Sequence, residues 1–100
     1  MADRADAVLA AHAERFRGEG WADALFRFAD GSVTEAALLA RASTPAERCE
    51  ATFLAGSMRL AAGDRAGARA LFEQTEQTRV YEYFEYVGAR QRLRQLAASR

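Results

Sequence analysis

Only one proline stands in the hundred residues, and it sits where a helix would begin, in Thr44-Pro45-Ala46-Glu47. Thr accepts a hydrogen bond from a first-turn amide, Pro fits the first helical position, and Glu three residues after the cap reaches back. Ser32-Val33-Thr34-Glu35 has the same form, with Ser32 as the cap. Nowhere does a run of alternating apolar and polar residues suggest a strand. Ala, Leu, Arg and Glu dominate, and all four favour helix. An all-α fold follows.

Apolar spacing and punctuation divide the chain into five to six helices. The first is expected over about Asp3 to Phe16, with Ala5, Val8, Leu9, His12 and Phe16 on one side, ended by Gly18 and Gly20. A second opens at Trp21 with Ala22, Leu25, Phe26 and Ala29 as its stripe, and Asp30-Gly31 turns the chain. A short third follows near Val33 to Ala42, with Ala36, Leu38 and Leu39 inward. The fourth runs from Pro45 to about Ala62, and Gly63-Asp64 closes it and caps the fifth, Arg65 to about Glu76. In the fifth, Ala68, Leu71, Phe72 and Thr75 face inward. The last spans about Arg79 to Ala98.

On that last helix, Val80, Tyr83, Phe84 and Val87 share one side. Tyr86, Ala89, Leu93, Leu96 and Ala97 share the roughly opposite side, so the apolar stripe switches near Gly88. A helix apolar on different faces at its two ends needs neighbours on both, either a returning segment of its own chain or a second molecule.

Half of the residues are hydrophobic, enough for one modest core in a single helical domain over residues 1–100. Ile, Lys and Asn are absent and every basic residue other than His12 is Arg, a bias expected of a GC-rich bacterial genome. The formal net charge is zero, which argues against a global nucleic-acid or acidic-lipid surface. From Thr78 onward, however, five arginines stand against Glu82 and Glu85, a surplus of three positive charges. The plainer reading is a solvated helix face. The sharper one is a docking surface for an acidic partner.

No apolar run is long enough for a signal peptide or a membrane span, so a cytoplasmic setting is expected, with no membrane partner. Cys49 is the only cysteine, so no intramolecular disulfide can form.

Candidate chemistry is sparse. His12, the only histidine, lies on an apolar stripe and reads as a core or boundary residue. Cys49, near a helix start, reads as a buried structural thiol before a nucleophile. Cys49 and His12 have no zinc-ligand spacing, Gly18-Glu19-Gly20 lacks the lysine of a phosphate loop, and Glu82 with Glu85 reads as a solvated pair. The expectation is therefore no catalytic residue, no metal and no cofactor.

From Cys49 to about Gln77 the chain resembles a tetratricopeptide repeat (TPR), a two-helix hairpin recurring over about 34 residues. The residues that carry the likeness are Gly56 midway along the first helix, the Gly63-Asp64 turn, and Ala68 followed by Phe72 in the second. Gly56 and Ala68 would let the two backbones approach, and Phe72 would fill the space toward the next helix. Departures are Thr52 where the family has a large aromatic, Arg59 where it has Tyr, Thr75 where it has a small residue, and Val80 in place of the closing Pro. The repeat looks degenerate or terminal. The longer run CEATFLAG…GDRAGARALFEQ…VYEYFEYVGARQRLRQL is similar to the C-terminal part of NlpI-like bacterial TPR proteins. Those are usually lipid-anchored adaptors, but with no lipobox cysteine near Met1 that localisation does not carry over.

The resemblance implies a fragment of a right-handed α-α superhelix of antiparallel hairpins. It places a TPR-like hairpin at 45–78 and a C-terminal packing helix at 79–98. It also implies a non-catalytic adaptor that binds another protein or peptide. The first helix of such a hairpin lines the groove, which here assigns Glu50, Phe53, Ser57 and Leu60 to a partner. Tyr81, Tyr83 and Tyr86 add rigid amphipathic area, and Arg90 belongs to the adjoining basic block. The alternative for Phe53 and Leu60 is packing on a neighbouring helix. A homodimer through the last helix is a second reading. Nucleic-acid binding through Arg90, Arg92 and Arg94 is a third, disfavoured because three arginines release few counterions.

Overall fold

The computed structural model describes residues 20–98. These form five α-helices: α1 (Gly20–Ala29), α2 (Glu35–Arg41), α3 (Pro45–Ala61), α4 (Arg65–Gln77) and α5 (Phe84–Ala98). No strand occurs among the described residues. The all-α arrangement is consistent with a helical-repeat or solenoid architecture in general. The helix expected over 3–16, and His12 with it, lies outside the described residues. The chain divides into two compact units, Met1–Arg41 and Ala42–Arg100.

In the first unit, α1 buries Ala24, Leu25 and Phe28. Ala22, Phe26 and Ala29, expected inward, are only half-buried. The stretch is apolar on both sides of Leu25, so periodicity is satisfied by either stripe and packing selects one. Leu38 of α2 is fully buried. The cap of α2 is displaced from its expected residue. The Asp30 carboxylate accepts from both the amide and the hydroxyl of Ser32. Ser32 thus closes an Asx-turn, and Thr34 becomes the cap, its Oγ1 accepting from the Ala37 amide at 3.1 Å. At the far end of α2, Arg41 Nη2 donates to the Gly20 carbonyl at 3.2 Å, joining the end of one helix to the start of the other.

In the second unit, α3 starts as Thr44-Pro45 requires. Thr44 is extended (φ −116°, ψ 160°) and its Oγ1 accepts from the Glu47 amide at 3.1 Å. Glu47 Oε1 accepts from the amide and hydroxyl of Ser43, at 2.9 and 3.0 Å, one residue earlier than the expected box partner. Gly63, at φ +88°, ends α3 in a left-handed conformation that costs a glycine little. Asp64 then caps α4, its Oδ1 accepting from the Gly67 amide at 2.9 Å.

The α3–α4 hairpin closes over Gly56. A Cβ built there would stand 2.8 Å from Phe72 Cε1 and 3.3 Å from Leu71 Cβ, so only a glycine admits the fully buried Phe72 ring. Ala68, Leu71, Phe72 and Thr75 are all buried on α4. Two of the departures from the repeat pattern meet each other. Thr52 and Thr75, both buried, share a hydrogen bond of 2.8 Å between α3 and α4. Thr52 Oγ1 also lies 2.6 Å from the Arg48 carbonyl, and Thr75 Oγ1 3.0 Å from that of Leu71. Two hydroxyl protons serve three contacts, so the pair can switch direction and still leave neither oxygen orphaned. A third departure, Arg59, turns back to the capping carboxylate, with Nη1 2.7 Å from Asp64 Oδ2.

The last helix begins five residues later than expected, at Phe84 rather than Arg79. The stop is backbone conformation without its usual residue. Arg79 adopts φ +57°, the left-handed region where a glycine normally ends a helix, and its amide donates to the Glu76 carbonyl at 3.2 Å. A turn follows, with the Tyr83 amide bonded to the Val80 carbonyl at 3.1 Å, and α5 starts. It packs on α4 and, less extensively, on α3. Ala68, Phe72, Ala89 and Leu96 form the core cluster, with Phe53, Leu60 and Leu93 packed against it.

Candidate protein-binding face

The eight residues assigned from sequence to a partner surface fall into two groups. On α3, Glu50, Phe53, Ser57 and Leu60 are all half-buried. The Phe53 ring lies between α4 and α5, its centroid 5.8 Å from that of Phe72 and 6.2 Å from that of Phe84, and it covers Gly88. Ser57 Oγ donates to the Phe53 carbonyl at 2.9 Å, within its own helix, and Leu60 packs against the core cluster. This row is therefore the seam along which α3 receives α5, with one edge left to solvent.

The second group gathers around the junction of α4 and α5. Tyr86 is buried, Tyr83 half-buried and Tyr81 exposed. The Tyr81 and Tyr86 rings meet edge-to-face with centroids 5.1 Å apart, a favoured quadrupole arrangement. Glu76, Gln77 and Arg79 join these two tyrosines around an open depression. Arg90, exposed, points its Nε to Glu76 Oε2 at 3.6 Å.

Two large exposed apolar groups, Phe84 and Val87, lie on α5 outside the assigned set. Phe84 is 76 % exposed and Val87 58 %. Sequence carried a signal for them, the stripe that switches sides near Gly88. The structure buries the Tyr86–Ala89–Leu96 side and leaves Phe84 and Val87 largely open, with Phe84 held only edge-on by Phe53. Such groups, rigid and already desolvated on one edge by a neighbouring ring, are the kind that anchor protein interfaces.

Acid–base and metal chemistry find little to work with here. Cys49 is fully buried, and burial pushes its thiol pKa up, against a smaller opposing hydrogen bond from Thr78. A raised pKa and no solvent access are the opposite of what a nucleophilic thiol needs. No group of three or more His, Cys, Asp or Glu is placed to hold a metal among the described residues. No helix among them is long and apolar enough to cross a membrane. Comparison with protein-family models, with curated proteins and with solved structures finds no match to the chain.

Proposed function

We propose that this chain is a non-catalytic adaptor with a hairpin of tetratricopeptide type, and that it binds another protein through the surface where α3 meets α5. The observation that carries the reading is Phe84, three-quarters exposed and seated against Phe53. Solvent exposure of a large aromatic gives the isolated fold nothing, whereas a partner that covers it gains one of the more energetic contacts available to an interface. The hairpin reading is supported by Gly56 beneath Phe72 and by the burial of Ala68, the two close-approach positions of the repeat. An adaptor of this kind is expected to act in the cytoplasm, where a lone thiol such as Cys49 stays reduced.

The test is affinity capture from cells that make the protein, read by mass spectrometry, with Phe84→Ala and Tyr81→Ala beside the unaltered chain. A partner retained by the unaltered chain and lost from Phe84→Ala, with helicity kept, supports the reading. Capture of the same partners by all three chains removes this surface from the account.

Self-association through α5 is a second reading, favoured by the same exposed Phe84 and Val87. Mass in solution as a function of concentration separates it from the first. A monomer at high concentration ends it.

A further inference from the structure

On α5, Phe84, Val87, Gln91, Arg94 and Ala98 recur every three or four residues and are all exposed, opposite the inward residues Tyr86, Ala89, Leu93 and Leu96. One continuous stripe is therefore apolar at its N-terminal end and cationic further on. Phe84 and Arg94 lie ten residues apart, about 15 Å along the axis.

The arginines of this helix are poorly served by their own fold. From Tyr86 to Ala98 there are three, Arg90, Arg92 and Arg94, and no carboxylate. The helix dipole does not account for them, because the last turn of α5 holds no basic residue and the dipole's effect is confined to that turn. Arg90 and Arg94 stand four apart, where like charges repel. Arg90 has a loose partner in Glu76 at 3.6 Å, and Arg92 Nη1 donates to the neutral Gln95 at 3.1 Å. An apolar anchor shares this open face with Arg94, flanked by Arg90. The helix's one carboxylate, Glu85 in its first turn, lies about 100° round from Phe84 and off the stripe. The face calls for an occupant of opposite charge and matching amphipathicity.

We propose that the Phe84–Val87–Gln91–Arg94 stripe seats an acidic amphipathic segment of the partner protein. Its apolar side chains cover Phe84 and Val87, and its carboxylates, two to three helical turns away, meet Arg94 and, at the edge of the stripe, Arg90. The inference rests on the adaptor reading above and names the chemistry of its partner. Nucleic acid is the poorer fit, since Phe84 and Val87 lead the stripe and three arginines supply a small counterion-release effect.

The experiment is selection of a library of random peptides, each about four helical turns long, on the immobilised full chain, followed by fluorescence anisotropy of the winners. Expected winners combine large apolar residues with Asp or Glu two to three turns away. Their binding weakens at least about tenfold in Phe84→Ala and in Arg94→Glu. It recovers in Arg94→Glu when the peptide's acids are exchanged for lysines. Should Phe84→Ala lose helicity, Val87→Ala reads the same contact. Winners that need Phe84 but show no acidic bias and no charge-swap recovery overturn the inference and leave the adaptor reading standing. No winner dependent on Phe84 overturns both. A dimer that Phe84→Ala returns to monomer assigns the face to a second copy of the chain. Binding of a single-stranded RNA probe, lost in Arg94→Glu and kept in Phe84→Ala, assigns it to nucleic acid. Either of those last results also overturns the inference.

Discussion

The ring of Phe53 rests on Gly88: a Cβ built on that glycine would stand 2.8 Å from Phe53 Cε1 and 2.9 Å from Cζ. The same contact is made one helix back, where the Phe72 ring rests on Gly56. Two glycines 32 residues apart in sequence thus each receive a phenylalanine from a neighbouring helix, and Phe53 and Phe72 touch each other between them. In both places close approach of the backbone is gained by giving up a side chain.

Gly56→Ala is expected to destabilise the protein. Alanine in a helix interior is worth about 1 kcal/mol over glycine. Overpacking against Phe72, fully buried and unable to withdraw, costs about 1–3 kcal/mol and prevails. Gly88→Ala is expected to cost less, about 1 kcal/mol or under, because Phe53 is half-buried and can shift toward solvent. Urea unfolding of the two variants checks the order. Equal losses would show that Phe53 is held as firmly as Phe72.

The Thr52–Thr75 pair is expected to behave as a coupled unit. Either single change to Val leaves the other hydroxyl its own backbone carbonyl, so each loss should be modest, about 0.5–1.5 kcal/mol. The double variant should lose less than the sum of the singles, with a coupling of about 1 kcal/mol. A strictly additive cycle would mean that the 2.8 Å contact between them contributes nothing.

Stability should fall in acid partly through Asp64. The Arg59 guanidinium, and after it the Gly67 amide, hold this carboxyl below its ordinary range. A depressed folded pKa stabilises the fold above the unfolded value, about 3.9, and that contribution is lost as pH falls through the folded one. Asp64→Asn should therefore lower the thermal midpoint at neutral pH, and the gap to the unaltered chain should close below about pH 4. A gap that persists unchanged into strong acid would exclude the carboxylate as its source.

Arg79→Gly is expected to stabilise. The residue occupies φ +57°, a conformation costing a side-chain-bearing residue about 1–2 kcal/mol. Part of that gain is returned as the entropy of a freer unfolded chain, leaving up to about 1 kcal/mol. A lower urea midpoint in the variant would reveal an interaction of the Arg79 side chain that outweighs the strain.

Cys49 should resist thiol reagents in the folded protein and react fully once the chain is unfolded in denaturant. Its burial both blocks access and raises the thiol pKa. Rapid labelling under native conditions would contradict that burial.

Local chemistry was sufficient for much of this protein. Helix type, the Thr44-Pro45 start, the Gly63-Asp64 junction and the inward set Ala68, Leu71, Phe72 and Thr75 all follow from residues acting on near neighbours. Other features were decided only by tertiary structure. Periodicity cannot choose between two apolar stripes on α1, nor foresee that Ser32 bonds to Asp30 and passes the cap to Thr34. The late start of α5 was hidden because Arg79 takes a glycine's conformation with no glycine to announce it. For the candidate face, sequence showed that α5 has two apolar sides. Which of them the core would take depended on the packing of Tyr86, Ala89 and Leu96 with the hairpin. The pairings of Thr52 with Thr75, across 23 residues, and of Phe53 with Gly88 are likewise beyond local reading. Burial and cross-helix contact are properties of two surfaces meeting, and a linear pattern specifies only one surface at a time.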